Sequence, residues 1–291
     1  MSSLCVGTAQ FGMSYGIAND TGQIDFDSII QIVDYSLNEG VEFFDTAQAY
    51  GDSETLLGRA LGASKYKDTA KIISKLSPDI SFKDVNSVFN NSLKNLRSDS
   101  LWGLLLHRYE ITRDYSKIFK EVSMLKTDGK LRFFGVSIYE PEDAMHALTN
   151  DNIDIIQVPF NILDRRLVDL NFFDLAVKYD KKIFVRSIYL QGLLLLNRDQ
   201  LIKRNMQWVI PHLSYLWNFI EQNKIDIKEF ALKSVLDMSN GARIITGIDS
   251  LDQLKENNMA STSVNINSQV LKSWWKNVPN YPVKLLNPAL W

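Results

Sequence analysis

Four side chains of different chemistry stand close together in sequence: Asp45, Tyr50, Lys75 and His107. Three of them close short apolar runs, "EFFD", "IISK" and "LLLH", and Tyr50 follows five residues after Asp45, with Gly51 directly behind it. A carboxylate, a phenol, an ammonium and an imidazole gathered at one place suit the reduction of a carbonyl. Hydride arriving at a carbonyl carbon leaves negative charge on oxygen, which then needs a proton. A phenol with its ordinary pKa of about 10 is a poor acid at neutral pH. A nearby ammonium favours the phenolate and lowers that pKa. Lys75 can do this to Tyr50, and Asp45 can pair with Lys75 and aim it. A neutral His107 can donate a hydrogen bond to the substrate oxygen. Gly51 allows a sharp turn beside the tyrosine. Singly, each residue has a plainer reading: Asp45 as a strand cap, Lys75 reaching to solvent, His107 as a structural imidazole, Tyr50 as a loop aromatic. It is the set, drawn from three consecutive units, that points to chemistry.

Such a set needs elements that bring it to one rim. Eight near-continuous apolar runs recur along the chain: CVGTA, EFFDT, KIISK, WGLLLH, FFGVS, IIQVP, KIFVRS and RIITG. Continuous rather than alternating runs suit parallel strands covered on both faces. Amphipathic stretches separate them. "FDSIIQIVDYSLNEG" ends in Gly40, a suitable C-cap; "PEDAMHAL" has proline at a first helical position. "SFKDVNSVFNNSLKNL", "DYSKIFKEVSMLKTDGK", "LVDLNFFDLAVKYD", "SYLWNFIEQNK", "IKEFALKSVLDM" and "SLDQLKENN" supply further helices. Eight β–α units without a break in composition predict an α/β fold with a single (β/α)8 TIM barrel over residues 1–291. A doubly wound open sheet is the alternative, but no G-x-G-x-x-G follows a strand. The aromatic, proline-containing segment 261–291 is expected to pack on the barrel rather than stay disordered.

Barrel sites lie at the carboxyl ends of the strands. The polar closing residues are Asp45, Lys75, His107, Ser137, Gln157, Arg186 with Ser187, and Thr246 with Gly247. Burying each alone costs free energy; at one mouth they can satisfy one another and a ligand. Ser137 and Gln157 could equally do no more than satisfy backbone groups.

The bulk properties leave room for this reading. Of 291 residues, 45% are hydrophobic and 23% charged, and the formal charge is −2, so neither nucleic acid nor an anionic membrane is an expected partner. The single Cys5 excludes an internal disulfide framework and suits a reducing cytoplasm. With three histidines and one cysteine, no Cys/His zinc cage is expected. The N-terminal stretch lacks the pattern of a secretory signal, and no apolar run reaches the roughly 20 residues of a membrane span.

In these residues the chain resembles the aldo-keto reductases, nicotinamide-dependent oxidoreductases built on a (β/α)8 barrel, and in particular their bacterial and channel-β-subunit-like branches. "FFDTAQAYGDSETLLGRAL" looks like the first signature of the family, with Asp45 and Tyr50 at its catalytic positions. "IISKL" supplies Lys75, "LLLHRYE" supplies His107, and "GKLRFFGVSIY", "IIQVPFN" and "ITGIDSLDQLKENN" follow in order. The chain begins directly at the first strand, without the N-terminal hairpin of many members. The resemblance implies that Ser137 and Gln157 hold the nicotinamide carboxamide. It implies that Gly247, Gln253, Glu256 and Asn257 line the adenosine end, with Glu256 and Asn257 at the adenine. Backbone N–H groups opening the last of these helices would suit phosphate. Gln253 also fits a capping box with Ser250.

Three departures stand out. Ile138 follows Ser137 where many members have Asn or Arg. Arg186, with Ser187 beside it, stands where an aromatic often stacks on the nicotinamide; a cation there disfavours the oxidised ring, so reduction is the expected direction. Asp249 lies near the expected 2′-phosphate, with no lysine or arginine at the usual basic positions. The resemblance implies NADPH as the cofactor, and Asp249 with the missing basic residues leaves NADH open. The expected partner is a small carbonyl compound, an aldehyde, ketone or sugar-like molecule. Oligomeric state is not readable. A cofactor-binding regulatory or scaffold protein with slow or vestigial turnover is the competing reading. A metal-dependent isomerase or hydrolase on the same barrel lacks the acidic and histidine cluster it would need. Candidate pocket residues are Phe11, Tyr15, Trp102, Arg108, Tyr139, Phe160 and Tyr189. Arg108 and Arg186 could serve an anionic substrate or pair with neighbouring carboxylates, the pairing being the preferred reading for Arg108.

Overall fold

The computed structural model describes residues 2–263 and 266–291. Its strands close into a barrel in sequence order, each parallel to the next and the eighth pairing back to the first. They are β1 (Leu4–Gly7), β2 (Phe43–Asp45), β3 (Lys71–Leu76), β4 (Leu101–Leu106), β5 (Leu131–Ser137), β6 (Ile155–Pro159), β7 (Lys182–Arg186) and β8 (Arg243–Gly247). All eight apolar runs of the sequence are strands, and the open-sheet alternative falls with the β1–β8 pairing.

Side chains alternate along a strand. One set packs outward under the helices; the other fills the barrel. The inner cluster is Cys5, Phe43, Ile73, Leu105, Ile155, Phe184 and Ile245. Two residues further along each of these strands comes an inward position one layer higher: Gly7, Asp45, Lys75, His107, Gln157, Arg186 and Gly247. Ser137 on β5 stands opposite Gln157 in the register, as Gly7 stands opposite Asp45 and Gly247. The polar ring at the mouth is thus the apolar plug advanced by one pleat.

Helices cover the outside. Phe26–Asn38 is capped by Asp25, whose side chain accepts from the backbone N–H of Ser28, and the chain leaves it through Gly40 at φ +74°. Pro141 opens Pro141–Leu148, and Asp226 caps Ile227–Met238 by accepting from Lys228 and Glu229. The stretch 167–180, read as one helix, is two, Arg166–Asp169 and Phe172–Lys178, because Asn171 turns left-handed between them (φ 53°). Helix Ser53–Ala63 did not stand out as a helix candidate in the sequence. Its moderate apolar face is interrupted by Gly58, against which the backbone of Asn95 and Leu96 lies too close for any Cβ.

Helix Ser268–Asn277 lies against the barrel's helical layer. Trp274 is fully buried among Phe219, Phe230 and Tyr215, and its indole Nε1–H donates to the Ile162 carbonyl at 2.8 Å. Trp275 stacks on Phe160 at 5.3 Å. The following residues Val283, Leu286 and Pro288 wall a small recess beside Tyr139 and Arg186.

Candidate active site

Tyr50 is held by two close backbone approaches. A Cβ on Gly12 would fall 1.8 Å from the Tyr50 carbonyl oxygen, and one on Gly51 2.4 Å from the Gly12 carbonyl oxygen. Gly51 also turns left-handed, at φ +54°. The loop is tied down further by Ser53, whose hydroxyl meets Thr8 Oγ1 at 2.8 Å and Thr46 Oγ1 at 3.0 Å and donates to the Thr8 carbonyl at 2.7 Å.

Lys75 is 1% exposed, yet its ammonium is fully engaged. It donates to Asp45 Oδ2 at 2.6 Å, to the Thr46 carbonyl at 2.9 Å and to the Tyr50 hydroxyl at 3.3 Å. Burial alone would favour the neutral amine; Asp45 and Tyr50 outweigh it and hold the Lys75 pKa above its ordinary value. The other Asp45 oxygen accepts from Gln157 Nε2 at 2.7 Å, and Gln157 Oε1 accepts from the Ser137 hydroxyl at 3.3 Å. A continuous chain runs Ser137–Gln157–Asp45–Lys75–Tyr50. Glu54, also buried, accepts from the Ser74 hydroxyl at 2.6 Å and from Asn95 at 3.2 Å, fixing β3 from behind Lys75.

The electrostatics differ from the expectation in one respect. Burial pushes the Tyr50 phenol above its ordinary pKa, Lys75 offsets only part of this, and Asp45 adds to it. Burial is the larger cause, and Asp45, held closer to the ammonium than the phenol is, cancels part of the ammonium's field. Tyr50 is therefore a protonated phenol across the neutral range. His107 lies edge-on to Tyr50, ring centroids 5.5 Å apart. Burial, reinforced by Lys75 and Arg186, lowers its pKa to about 3, so it is neutral imidazole.

These groups open onto one cavity of about 380 Å³. Its wall includes Asp45, Tyr50, His107, Ser137, Gln157, Arg186, Ser187, Gly247, Asp249, Gln253 and Asn257. Lys75 lies just beneath. Glu256 is not part of the wall: its carboxylate points outward onto Lys228 Nζ at 2.5 Å, and Lys228 itself takes the wall position. A cation therefore does stand at this end of the cavity, on the helix before β8 and not after it. Gln253 makes half of the capping box: its backbone N–H donates to Ser250 Oγ at 3.2 Å, whereas its Oε1 accepts from the Asp249 N–H at 3.0 Å, one residue before the cap; its side chain also lines the cavity. Asn257 accepts from the Tyr189 hydroxyl at 3.2 Å. Asp249 accepts from Asn19 Nδ2 at 3.1 Å, and burial raises its pKa. Ile138 is buried away from the cavity, and only its carbonyl serves the site, by accepting from Arg186 Nη2 at 2.9 Å.

Of the aromatic and basic pocket candidates, Tyr15, Tyr139 and Tyr189 line the cavity. Phe11 and Phe160 are core, and Trp102 packs on Phe43, Phe133 and Phe184 inside the barrel. Arg108 is exposed and paired with Glu110 at 2.8 Å. Gln10, Asn19 and Lys228 were not singled out from the sequence. Gln10 follows β1 by three residues, the same strand-end signal that marks the others, but inside an apolar-looking stretch. No short-range signal brings Asn19 or Lys228 to the mouth.

The cavity keeps polar groups free for a ligand. Gln10 Oε1 and Thr246 Oγ1 are buried at its wall with no hydrogen-bond partner among the described residues. Gly247 lies directly against the Gln10 amide, a Cβ there falling 2.6 Å from Nε2.

The aldo/keto reductase family model matches residues 3–276, and the chain belongs to that family of NAD(P)H-dependent oxidoreductases. It is 22% identical over 263 residues to an uncharacterized oxidoreductase of Bacillus subtilis, YqkF, covering 84% of this chain and 85% of that one. It is 24% identical over 266 residues to the NADH-specific methylglyoxal reductase of Escherichia coli, covering 78% and 80%. Among solved structures, the holo form of aldo-keto reductase AKR11C1 from Bacillus halodurans superposes with a TM-score of 0.74 at 21% identity, over 96% of this chain and 93% of that one.

Proposed function

We propose that this chain reduces an aldehyde or ketone carbonyl at the mouth of the barrel, with Tyr50 giving the proton. The observation that carries this is the Lys75 ammonium, 2.6 Å from Asp45 and 3.3 Å from the Tyr50 hydroxyl at the floor of one cavity. The nicotinamide cofactor, when bound, supplies the hydride. Ser137 and Gln157 would hold its carboxamide; in support, Gln157 keeps one amide N–H beyond the one given to Asp45. Arg186 and Ser187 flank them, and Gly247, Gln253 and Asn257 line the far end. Tyr50, a protonated phenol at neutral pH, donates its O–H to the carbonyl oxygen. As the proton leaves, negative charge grows on the tyrosine oxygen, where the Lys75 ammonium can stabilise it. Lys75 thus acts on the product side of the proton transfer more than by acidifying the resting phenol. Neutral His107 has one ring N–H to donate to the same carbonyl oxygen and orient it. The balance is one hydride to carbon and one proton to oxygen, giving an alcohol.

Steady oxidation of reduced nicotinamide cofactor by a panel of carbonyl compounds tests this reading. Tyr50→Phe is expected to lower kcat by roughly 10²–10⁴-fold while leaving cofactor affinity in place. Tight cofactor binding without turnover on any carbonyl would instead favour a regulatory or scaffold role.

NADPH is the proposed cofactor, with NADH as the alternative that the Escherichia coli relative's name suggests. Asp249 works against a 2′-phosphate, whereas Lys228 offers it a cation in exchange for Glu256. Lys228→Met should weaken NADPH binding by about tenfold, the free energy of one modest ionic contact, and leave NADH unchanged. Fluorescence titration of both cofactors checks it; equal effects on the two would remove Lys228 from this role.

A further inference from the structure

Among the charged groups at the cavity wall, Arg186 stands apart. Asp45 is bound to Lys75 and Gln157, Lys228 to Glu256, and Asp249 accepts from Asn19. Arg186 has no carboxylate within ion-pair distance among the described residues. A guanidinium carries five N–H donors; here Nη2 donates to the Ile138 carbonyl at 2.9 Å and Nη1 to Ser187 Oγ at 3.4 Å, and the remainder are unused. One face of the group is covered by the Tyr139 ring, its central carbon 4.4 Å from the ring centroid. The side chain is therefore preorganised, and it is aimed across the end of β6 towards the loop after β5. That direction leads to the His107 and Tyr139 side of the mouth, away from β8 and the helix Leu251–Ser263, where the groups suited to the cofactor's far end lie. Its field is felt at both His107 and Tyr15.

A half-buried cation without a counter-ion, fixed on two sides and facing the region where a carbonyl would meet His107, is an incomplete pair. We propose that Arg186 receives an anionic group of the substrate, so that the molecule reduced is a carbonyl compound carrying a carboxylate or a phosphate ester. The carbonyl sits at Tyr50 and His107, and the anion sits against the unused Arg186 donors, beside Tyr139 and Tyr15. A planar fork of donors matches either anion bidentately. This assignment rests on the reductase reading above and names its substrate class.

Matched substrates test it in the full-length protein with saturating reduced cofactor. Benzaldehyde is compared with 3- and 4-carboxybenzaldehyde, and glyceraldehyde with glyceraldehyde 3-phosphate. The wild type is expected to show at least tenfold higher kcat/KM for the charged member of one series, and the series that responds tells carboxylate from phosphate. Arg186→Gln should bring that ratio near one and Arg186→Lys should keep part of it; ratios are read because the substitution can lower turnover on every substrate. In the wild type alone, rising ionic strength should raise KM for the charged substrate and spare the neutral one. Equal efficiencies across both pairs, or a ratio unmoved in Arg186→Gln, would overturn the assignment and leave the reductase reading standing. No cofactor oxidation with any of these carbonyls would count against the reductase reading itself, and the assignment would fall with it.

Discussion

Tyr50 and Lys75 illustrate how burial and pairing compete at single residues. The sequence suggests an ammonium acidifying a phenol, but the ammonium is shared with Asp45 at 2.6 Å, and burial of the phenol prevails. His107 obeys the same rule without a counter-ion, and its pKa falls to about 3. This has a consequence for stability. Below about pH 6.5, its ordinary value, the unfolded chain takes up a proton at this imidazole and the folded chain does not. Stability must then fall as pH drops from 6.5 towards 3. Partial solvent access reduces the effect, to about 1–2 kcal/mol between pH 6.5 and 4.5. Urea unfolding of wild type and His107→Asn across this range should show a smaller acid loss in the variant; parallel curves would assign the loss to other groups.

At the scale of elements, the active loop depends on backbone contact more than on side chains. Helix Ala9–Gly12 and the turn at Gly51 interlock so closely that neither glycine tolerates a Cβ. The obstacle in each case is backbone, which cannot rotate away as a side chain can. Gly12→Ala should therefore move Tyr50 and lower kcat by tenfold or more, since displacement of about an ångström costs that much. Cofactor affinity should change less than kcat: Gln253 and Asn257 stand on a separate helix, and only Gln10, on the same short helix as Gly12, links the contact to β8 at Gly247. Kinetics and a cofactor titration on the same sample separate the two effects; unchanged kcat would show that the loop adapts.

Across the whole molecule, the C-terminal segment contributes both packing and a wall of the small recess beside Tyr139 and Arg186. Trp274 fills a fully buried position and satisfies its indole N–H on Ile162, which follows β6. Trp274→Ala should cost about 3–5 kcal/mol, the usual range for truncating a buried aromatic, read as a shifted urea midpoint with little change in slope. Much was legible without coordinates. Parallel strands buried on both faces leave continuous apolar runs, so all eight could be read from composition alone. The alternation of strands then carried Asp45, Lys75, His107, Ser137, Gln157, Arg186 and Gly247 into one layer, because each closes a run whose interior residue lies two positions earlier. The sequence by itself determined the barrel, that polar layer and the family. Only the tertiary structure decided that Lys228 and not Glu256 faces the cavity, that Gln10 and Asn19 belong to it, that Trp102 and Phe160 do not, and that Arg186 lacks a counter-ion. These depend on distances between groups up to two hundred or more positions apart in the chain, such as Asn19 and Asp249. Local periodicity records which face a residue takes, whereas charge pairing and burial are set by neighbours that only the closed barrel brings within reach.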